Sequence, residues 1–271
     1  AFSQAKENAG IEPEDITAFA GTVGPGLVGC LLVGLNAAKT LALVYDRPFI
    51  GVNHLNAHLC GNYLDTELRP PFMALLVSGG HTQIIDVESY SKQTILGETI
   101  DDAVGEAYDK VARLIGLPYP GGPRLDKLAQ EGNPKAYQLP EGKVDGYNFS
   151  FSGLKSAVLN YINHAKMTGE EIYVPDLVAS FQNAVVDVLV SRAITAAKEY
   201  GYKKLAIAGG VASNSALRAA MKEACDKNGI TFYHPSPIFC TDNAAMIGAA
   251  AYYEYKKGNR SGWDLNAVPN L

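Results

Sequence analysis

The stretch "ITAFAGTVGPGLVGCLLVGLNAAKTLALVYDRPFIGVN", residues 16–53, contains the pattern that decides the fold class. Its first apolar segment, Ile16 to Ala20, predicts a β-strand, and the glycine-rich residues 21–29 predict a turn. A long apolar helix then continues to about Tyr45, and "PFIGVN" at residues 48–53 predicts a second strand. Two strands connected through a helix are typical of parallel pairing. The sequence therefore predicts an α/β fold.

The rest of the chain continues the alternation of strands and helices. Residues 72–89, "FMALLVSGGHTQIIDVES", predict a β-hairpin, because two apolar runs flank a polar turn with two glycines. Residues 203–235 predict a strand, a turn, a helix and a strand, and residues 242–255 predict a final helix. A polar, proline-containing stretch precedes the hairpin and indicates a boundary. We therefore expect one lobe over residues 1–68 and another over residues 69–271, with the final helix returning to the first lobe.

Composition limits the classes of protein to which the chain can belong. With 271 residues and 47% hydrophobic content, the chain is long enough to bury a core and form two lobes. It has no apolar run of about 18 residues and no pattern typical of a signal peptide, which predicts a cytoplasmic protein outside the membrane. Its four cysteines lack paired C-x-x-C spacing, which predicts reduced thiols rather than disulfides or a zinc finger.

The formal net charge of −5 gives no overall attraction for a polyanion. Contact with a nucleic acid would therefore need a local patch of basic residues or a partner protein. The candidates for such a patch are lysines and an arginine that could equally be ordinary solvated side chains: Lys155, Lys203, Lys204 and Arg218.

Two histidines of the segment "GVNHLNAHLC" are candidate metal ligands. On a helix, the spacing of His54 and His58 places both imidazoles on one face, where they can reach one ion. Two hydrogen-bonded structural histidines would show the same spacing. A zinc peptidase needs H-E-x-x-H, whereas Leu55 follows His54, so this class is disfavoured. Asp242 is a possible third ligand, although it can equally be the N-cap of the final helix.

Two glycine-containing turns are candidates for contact with a nucleotide. The turn at residues 76–80 lets backbone amides approach an anion, although a plain hairpin would also use Gly-Gly. In "AIAGGVASN", a strand leads into Gly209 and Gly210 and then into a helix that begins near Asn214, which leaves room for a flat base. Neither turn matches a Rossmann fingerprint or a Walker loop.

Acidic residues form the third candidate group. Asp102, Glu106 and Asp109 recur at helical spacing, an arrangement usual for a solvated face. Downstream, Gly122 is the predicted N-cap of a helix with Asp126 in its first turn. Carboxylates at these positions can bind ribose hydroxyls, and they can equally favour the helix dipole alone.

Seven segments together resemble the universal tRNA adenosine threonylcarbamoyltransferase family in its bacterial form, a family once described as O-sialoglycoprotein endopeptidases. The resemblance covers nearly the whole chain and is carried by "GPGLVGCLLVG", "NHLNAHL", "LLVSGGHTQI", "EAYDKVARLIGLPYPGGPRLDKLA", "FSFSGLKSAV", "GGVASNSALR" and "CTDNAAMIGAA". It implies the two-lobed fold of actin, Hsp70 and the sugar kinases. It also implies transfer of a threonylcarbamoyl group from threonylcarbamoyl-AMP to N6 of adenosine 37, in tRNAs that read codons beginning with adenine.

The resemblance assigns roles to residues of this sequence. One Fe(2+) or Zn(2+) ion per chain would be bound by His54, His58 and Asp242. A hairpin facing the phosphate of threonylcarbamoyl-AMP or an adenine nucleotide would consist of Leu76, Val77, Ser78, Gly79 and Gly80. The ribose would contact Asp109, Gly122 and Asp126, and the adenine would contact Gly209, Gly210 and Asn214. No protein nucleophile is implied, and a catalytic residue is not assigned.

The chain departs from the family at its start, because the leading strands of the first lobe are absent from the sequence. We therefore expect a first lobe truncated at its N-terminus, with an unpaired sheet edge. The expected partners are tRNA and accessory proteins of the threonylcarbamoyladenosine pathway, including a paralogous two-lobed protein. Two alternative functions remain: a metal-dependent (glyco)peptidase, and an ATP-dependent small-molecule kinase, which the His and Asp ligand set disfavours.

Overall fold

The computed structural model describes residues 2–90, 92–142 and 144–271 of the protein. The chain divides into two compact units. Unit 1 comprises Ala1–Leu64 and Asn243–Leu271, and unit 2 comprises Asp65–Asp242. Unit 1 is thus built from two segments that are distant in sequence, whereas unit 2 is continuous.

Two parallel strands form the centre of unit 1. Up to Asp65, the elements in chain order are α1 (Phe2–Ala9), β1 (Phe19–Gly24), α2 (Val28–Val44), β2 (Phe49–Asn53), α3 (His54–Cys60) and α4 (Asn62–Asp65). β1 pairs with β2 in parallel, and Phe19 lies opposite Phe49 at the start of the register. The predicted order of strand, helix and strand is therefore confirmed, as is the parallel pairing.

The prediction of a strand at Ile16 to Ala20 was wrong in its bounds. A short 3-10 helix, Pro13–Asp15, has Ile16 as its C-cap, and β1 extends through the residues "GTVG" that were predicted to form a turn. Gly21 marks close packing rather than a turn, because a Cβ added there would lie 3.3 Å from the Cα of Leu35 in α2. The glycine thus lets α2 pack directly on the strand.

A five-stranded mixed sheet forms the centre of unit 2. Its elements in chain order are β3 (Phe72–Val77), β4 (Thr82–Ser89), β5 (Lys92–Glu98), α5 (Val104–Leu114), α6 (Gly122–Ala129), α7 (Ser152–Thr168), α8 (Val174–Glu199), β6 (Lys204–Ala208), α9 (Ser215–Asn228), β7 (Thr231–Tyr233) and α10 (Pro237–Cys240). The strand order is β5-β4-β3-β6-β7. β3 and β4 pair antiparallel, which confirms the predicted hairpin. β3, β6 and β7 run parallel to one another, and the predicted strand, turn, helix and strand of residues 203–235 is confirmed.

α8 is the central helix of unit 2. Among the residues that the structure describes, it is the one helix whose length and apolar composition would suffice to cross a membrane. However, 56% of its most apolar window is buried inside the protein. Phe181, Val185 and Leu189 belong to the main hydrophobic cluster of the unit. α8 therefore has the burial expected of a core helix.

The second segment of unit 1 begins with α11 (Ala244–Lys256) and ends in a tail that pairs with the first segment. In the tail, the Val268 amide donates to the Val23 carbonyl at 2.8 Å, and the Ser261 amide donates to the Phe49 carbonyl at 2.9 Å. Lys39 of α2 donates through Nζ to the Trp263 carbonyl at 2.9 Å. The tail is thus held by both strands and by α2.

All four cysteines are free thiols, which confirms the prediction of reduced cysteines. Cys30 is exposed, and the other three are buried. Burial raises the pKa of the Cys60 thiol to about 12, so this group stays protonated near neutral pH. Cys60 therefore acts as a small apolar residue of the core.

The carboxylate of Asp101 organises the start of α7. It accepts hydrogen bonds from the Ser150 hydroxyl at 2.6 Å, the Phe151 amide at 2.8 Å and the Ser152 hydroxyl at 2.7 Å. Partial burial alone would raise the pKa of Asp101, but these hydrogen bonds outweigh it and hold the pKa below its usual value. The ionised form is therefore favoured in the folded protein.

We predict that Asp101→Asn lowers the free energy of unfolding at pH 7 by about 1 kcal/mol, because the charge-assisted hydrogen bonds are weakened. In the wild-type protein, the stabilisation is fully present above pH about 4, the ordinary pKa range of the group, and is lost as pH falls further. Urea unfolding at pH 7, 5 and 3 measures both effects. Glu67→Gln, at an exposed position, is the control. An equal response of the two variants to pH would contradict the prediction.

Candidate metal centre and nucleotide-binding turns

Asn53 fixes the position of the two histidines. It ends β2, and its side-chain oxygen accepts hydrogen bonds from the amides of Leu55 at 2.8 Å and Asn56 at 3.1 Å. Asn53 is thereby the N-cap of α3, so the helix begins at His54 and places His58 one turn later on the same face. The two imidazole rings meet edge to face, with centroids 4.6 Å apart.

Asp242 precedes α11 without being its N-cap. That role belongs to Asn243, whose side-chain oxygen accepts a hydrogen bond from the Met246 amide at 2.8 Å. The N-cap alternative for Asp242 was therefore wrong, because its neighbour satisfies the helix terminus. α11 packs against α3 in a cluster of buried residues that includes Ala57 and Met246.

His54, His58 and Asp242 come together as a group of potential metal ligands. One ligand atom from each side chain lies within 4.8 Å of the other two. Two atoms that bind one ion at about 2.1 Å lie roughly 3 to 4 Å apart, so small side-chain rotations would complete the geometry. His58 is buried, His54 is half-buried and Asp242 is exposed, which leaves one side of the group open. Two imidazoles and a carboxylate are a donor set suited to Fe(2+) or Zn(2+).

The turn between β3 and β4 presents two exposed glycines. Its ends are closed by a hydrogen bond from the Ser78 amide to the His81 carbonyl at 2.8 Å. The Ser78 hydroxyl oxygen accepts from the His81 amide at 3.0 Å, and Gly79 and Gly80 are exposed. By contrast, Leu76 and Val77 are fully buried within β3. An anion can therefore approach the turn itself, and the two strand residues support it from behind.

The N-terminus of α5 lies against this turn. The Gly105 amide donates to the Ser78 carbonyl at 3.1 Å, and a Cβ added at Gly105 would lie 2.7 Å from the same oxygen. The Val104 amide donates to the Thr82 hydroxyl at 2.8 Å. Only glycine permits this approach, so the helix terminus and the exposed amides of the turn occupy one small region of unit 2.

The turn after β6 is also in contact with the end of β3. Gly209 has a φ of +91°, and a Cβ added there would lie 2.3 Å from the Val77 carbonyl oxygen. The space beside Gly210 is open, because a Cβ there would meet no atom within 4 Å. A flat group thus has access to the backbone at Gly210, while Gly209 is in contact with β3.

Asn214 is 7% exposed, and both ends of its side-chain amide are bonded within unit 2. Its oxygen accepts from the Leu217 amide at 2.8 Å, which makes Asn214 the N-cap of α9. Its nitrogen donates to the Gln182 side chain at 2.8 Å. Sequence reasoning missed Gln182, although a polar residue on the apolar face of α8 is a signal that could have indicated it.

Asp126 joins α6 to α9. Its carboxylate accepts from the amide of Ser215 at 3.0 Å and from the Ser215 hydroxyl at 2.8 Å. Ser215 directly follows Asn214, so the structure brings two of the predicted substrate-binding residues together. Sequence reasoning missed Ser215, although a serine in the first turn of a helix is a common partner for a carboxylate.

Asp109 is bonded to the loop before α6. Its Oδ1 accepts from the Gly121 amide at 2.7 Å. The predicted N-cap at Gly122 was wrong by one residue, because α6 includes Gly122 and its N-cap is Gly121. A Cβ at Gly121 would lie 2.3 Å from the Ala112 Cβ, so a glycine is required where the loop meets α5.

The acidic face of α5 is partly compensated. Lys110 pairs with Asp102 at 2.6 Å and with Glu106 at 2.9 Å. Hydrogen bonds to these two carboxylates raise the pKa of Lys110. The expected solvated face therefore contains an ion-pair network, and Asp109 alone of the three acids contacts the neighbouring loop.

Comparison with known proteins gives consistent results. A family model described as tRNA N6-adenosine threonylcarbamoyltransferase matches residues 1–249. A protein of that name from Clostridium perfringens (strain SM101 / Type A) is 58% identical over an alignment of 271 residues that covers 99% of this chain and 80% of the relative. A protein of the same name from Clostridium botulinum (strain Hall / ATCC 3502 / NCTC 13319 / Type A) is 54% identical over the same shares.

Solved structures with similar folds include HypF. The chain matches full-length HypF in its phosphate- and nucleotide-bound form with a TM-score of 0.68 at 17% identity, over 95% of this chain and 41% of that chain. It matches component A of the Acidaminococcus fermentans (R)-2-hydroxyglutaryl-CoA dehydratase with a TM-score of 0.54 at 18% identity, over 94% of this chain and 82% of that chain. At such identities the likeness concerns the fold alone, and it confirms the predicted two-lobed, actin-like α/β class.

We predict that Gly209→Ala lowers the free energy of unfolding by about 2 kcal/mol or more, because the new methyl group would meet the Val77 carbonyl and the backbone has positive φ. Gly210→Ala is the matched control, since its Cβ would enter open space. Chemical denaturation of both variants measures the difference. Equal stabilities would show that the two strand ends are not in contact as described.

Proposed function

The chain belongs to the tRNA N6-adenosine threonylcarbamoyltransferase family, and on this premise we propose the reaction in detail. The protein is an acyltransferase that modifies tRNA. The proposed donor is threonylcarbamoyl-AMP, and the proposed acceptor is N6 of adenosine 37 in tRNAs that read codons beginning with adenine. The bond from N6 to the carbamoyl carbon forms as the bond from that carbon to the phosphate oxygen breaks. AMP leaves, and N6 gives up one proton.

The observation that carries the proposal beyond the family assignment is the grouping of His54, His58 and Asp242. These three side chains would hold one divalent ion, Fe(2+) or Zn(2+). When bound, such an ion supplies a Lewis acid that can polarise a carbonyl or stabilise a phosphate. The residues themselves provide two neutral donors and one charged donor, and the caps at Asn53 and Asn243 hold them in position. Nothing favours a peptidase, since no acidic residue lies between the histidines.

The turns of unit 2 would bind the donor. Gly79 and Gly80 expose backbone at the β3–β4 turn, which supports a phosphate contact there by Ser78 and its neighbours. The open backbone at Gly210 supports contact with adenine, with Asn214 holding the turn in shape. For the ribose, the proposed contacts are the residues on α5 and α6 near the Gly121 loop: Asp109, Gly122 and Asp126. These groups would act by orienting the donor.

We further propose that the protein acts in the cytoplasm with accessory proteins, including a paralogous two-lobed partner. A chain of net charge −5 does not attract tRNA through its overall field. The interaction must therefore depend on a local basic surface or on charges that a partner supplies.

The metal proposal predicts about one iron or zinc ion per purified chain. His54→Ala and His58→Ala each delete a ligand, so each variant should retain less than about one tenth of the metal after dialysis. Elemental mass spectrometry measures the content independently of activity. His164→Ala, on the partly exposed helix α7, should retain the metal fully. A double histidine variant with wild-type metal content would disprove the site.

The reaction is tested by supplying threonylcarbamoyl-AMP, accessory proteins and an unmodified tRNA that reads a codon beginning with adenine. We expect mass spectrometry of the nucleosides to detect threonylcarbamoyladenosine only when the protein is present. A tRNA with guanosine in place of adenosine 37 is the control, because it lacks the acceptor amine. Modification of that control, or none of either tRNA, would contradict the proposal.

A further inference from the structure

Four exposed side chains at the end of α5, in the loop that follows and on α6 are not accounted for by the reaction site. We name this set the α5–α6 rim and define it as Arg113, Tyr119, Arg124 and Lys127. We propose that the α5–α6 rim binds the single-stranded anticodon loop of the tRNA, with Tyr119 stacked on an unpaired base. This inference rests on the proposed function, because it concerns the RNA substrate of that reaction.

The rim is held together by the contact between the loop and α5. Gly121 is fixed against Ala112, the neighbour of Arg113, and its amide is bonded to Asp109. The Arg124 amide donates to the Gly121 carbonyl at 3.1 Å, so Arg124 lies in the turn that follows the fixed point. Arg113 therefore follows the residue of α5 that contacts the loop, and Arg124 lies in the first turn of α6 after the loop.

The rim cations are available to phosphates. Arg113, Arg124 and Lys127 are exposed, and their side chains form no hydrogen bond or ion pair with any residue that the structure describes. Arg124 and Lys127 are three residues apart on α6, which places them as neighbours on one face. Guanidinium groups bind phosphate oxygens through paired hydrogen bonds, so an exposed arginine with a lysine beside it suits an RNA backbone.

The neighbouring acids face other partners. The Asp109 carboxylate accepts a hydrogen bond from the Gly121 amide, and the Asp126 carboxylate accepts one from the Ser215 amide. Asp102 and Glu106 are paired with Lys110. Asp101, just before α5, is bonded to Ser150 and Ser152. The acids on α5 and α6 and just before α5 are thus bonded within unit 2, whereas the three charged side chains of the rim are cationic.

Tyr119 provides a platform for a base. Its side chain is 83% exposed, whereas Tyr108 on the preceding helix is 2% exposed. An exposed phenol ring gains little from packing within the protein. Its face can stack on an unpaired base, and such stacking contributes about 1 to 3 kcal/mol to the free energy of binding. An acceptor amine within a tRNA loop becomes accessible when bases of that loop unstack. Tyr119 is therefore suited to hold such a base beside the cations.

Two of the cations that were candidates for RNA contact from the sequence are hydrogen-bonded to backbone carbonyls. Lys204 donates through Nζ to the Arg69 carbonyl. Arg218 donates through Nε to the Ala212 carbonyl at 2.6 Å and through Nη2 to the Pro235 carbonyl at 3.0 Å. These two side chains stabilise loops of unit 2, which favours the α5–α6 rim over them as a basic surface for RNA.

The test is fluorescence anisotropy of a labelled anticodon stem-loop RNA with the whole chain at about 50 mM salt. We expect Tyr119→Ala to weaken binding by about 5-fold to 100-fold, and Tyr119→Trp to restore it, because tryptophan also stacks. Arg113→Ala and Arg124→Ala should each lower the slope of log Kd against log salt by about 0.7. On a stem duplex that lacks the loop, Tyr119→Ala should have no effect.

Matched controls lie at the far end of α8. Lys198 and Tyr200 are exposed there. Lys198 is about 33 Å along the helix from Asp176, which lies at its start. The Asp176 carboxylate accepts a hydrogen bond from the Asn133 amide, shortly after α6. Lys198→Ala and Tyr200→Ala should bind the stem-loop as the wild type does. Thermal unfolding checks that every variant is folded, and calorimetry with AMP checks that the donor pocket is unchanged.

The outcomes separate this inference from the proposed reaction. Rim variants that bind the stem-loop as tightly as the wild type would disprove the rim, even where the wild type forms threonylcarbamoyladenosine. Absence of stem-loop binding by the wild type at low salt would disprove it as well. Binding through the rim without any modified nucleoside would support the RNA surface and refute the reaction.

Discussion

The arrangement of the candidate metal ligands depends on two asparagine caps. The Asn53 side chain accepts hydrogen bonds from two backbone amides at the start of α3, and the Asn243 side chain accepts one at the start of α11. Each residue of an α-helix turns by about 100°, so a start displaced by one residue would rotate a histidine away from its partner. The caps therefore convert a linear spacing into a defined group of donors, and the packing of Ala57 against α11 preserves it.

Unit 2 uses the same chemistry for a different purpose. There, polar side chains at helix starts connect loops that would otherwise be independent: Asp101 binds the start of α7, and Asp126 binds the start of α9 beside the cap Asn214. Glycines complete the arrangement by permitting contacts that a Cβ would prevent, as Gly209 does against β3. The turns proposed to bind the donor are thus anchored by the hydrogen bonds between Ser78 and His81 and by the contact of Gly209 with β3.

The sequence predicted the parallel strands and the hairpin, because apolar runs and glycine-containing turns are local signals. For the histidines a helix was only a condition of the metal hypothesis, and α3 fulfils it. The predicted end of β1 was too early because Gly21 was taken as a turn residue, and its packing against Leu35 is a long-range contact that a local pattern does not contain. The same limit explains why Gly121, and not Gly122, caps α6. Asp126 and Ser215 lie on two helices that are far apart in sequence, so no local pattern could pair them. The resemblance to a family indicated Asp126, and the structure identified Ser215 as its partner.

The division of the chain has a consequence for how the protein is made. Unit 2 is continuous, so the whole of it is synthesised before the second segment of unit 1. Unit 1 has to wait, because its two strands pair with a tail that includes Val268, which is translated after the whole of unit 2. Until then, the apolar face that α11 will cover on β2 and α3 stays exposed to water. During translation, the early segment of unit 1 is therefore the part of the nascent chain that most needs protection from aggregation.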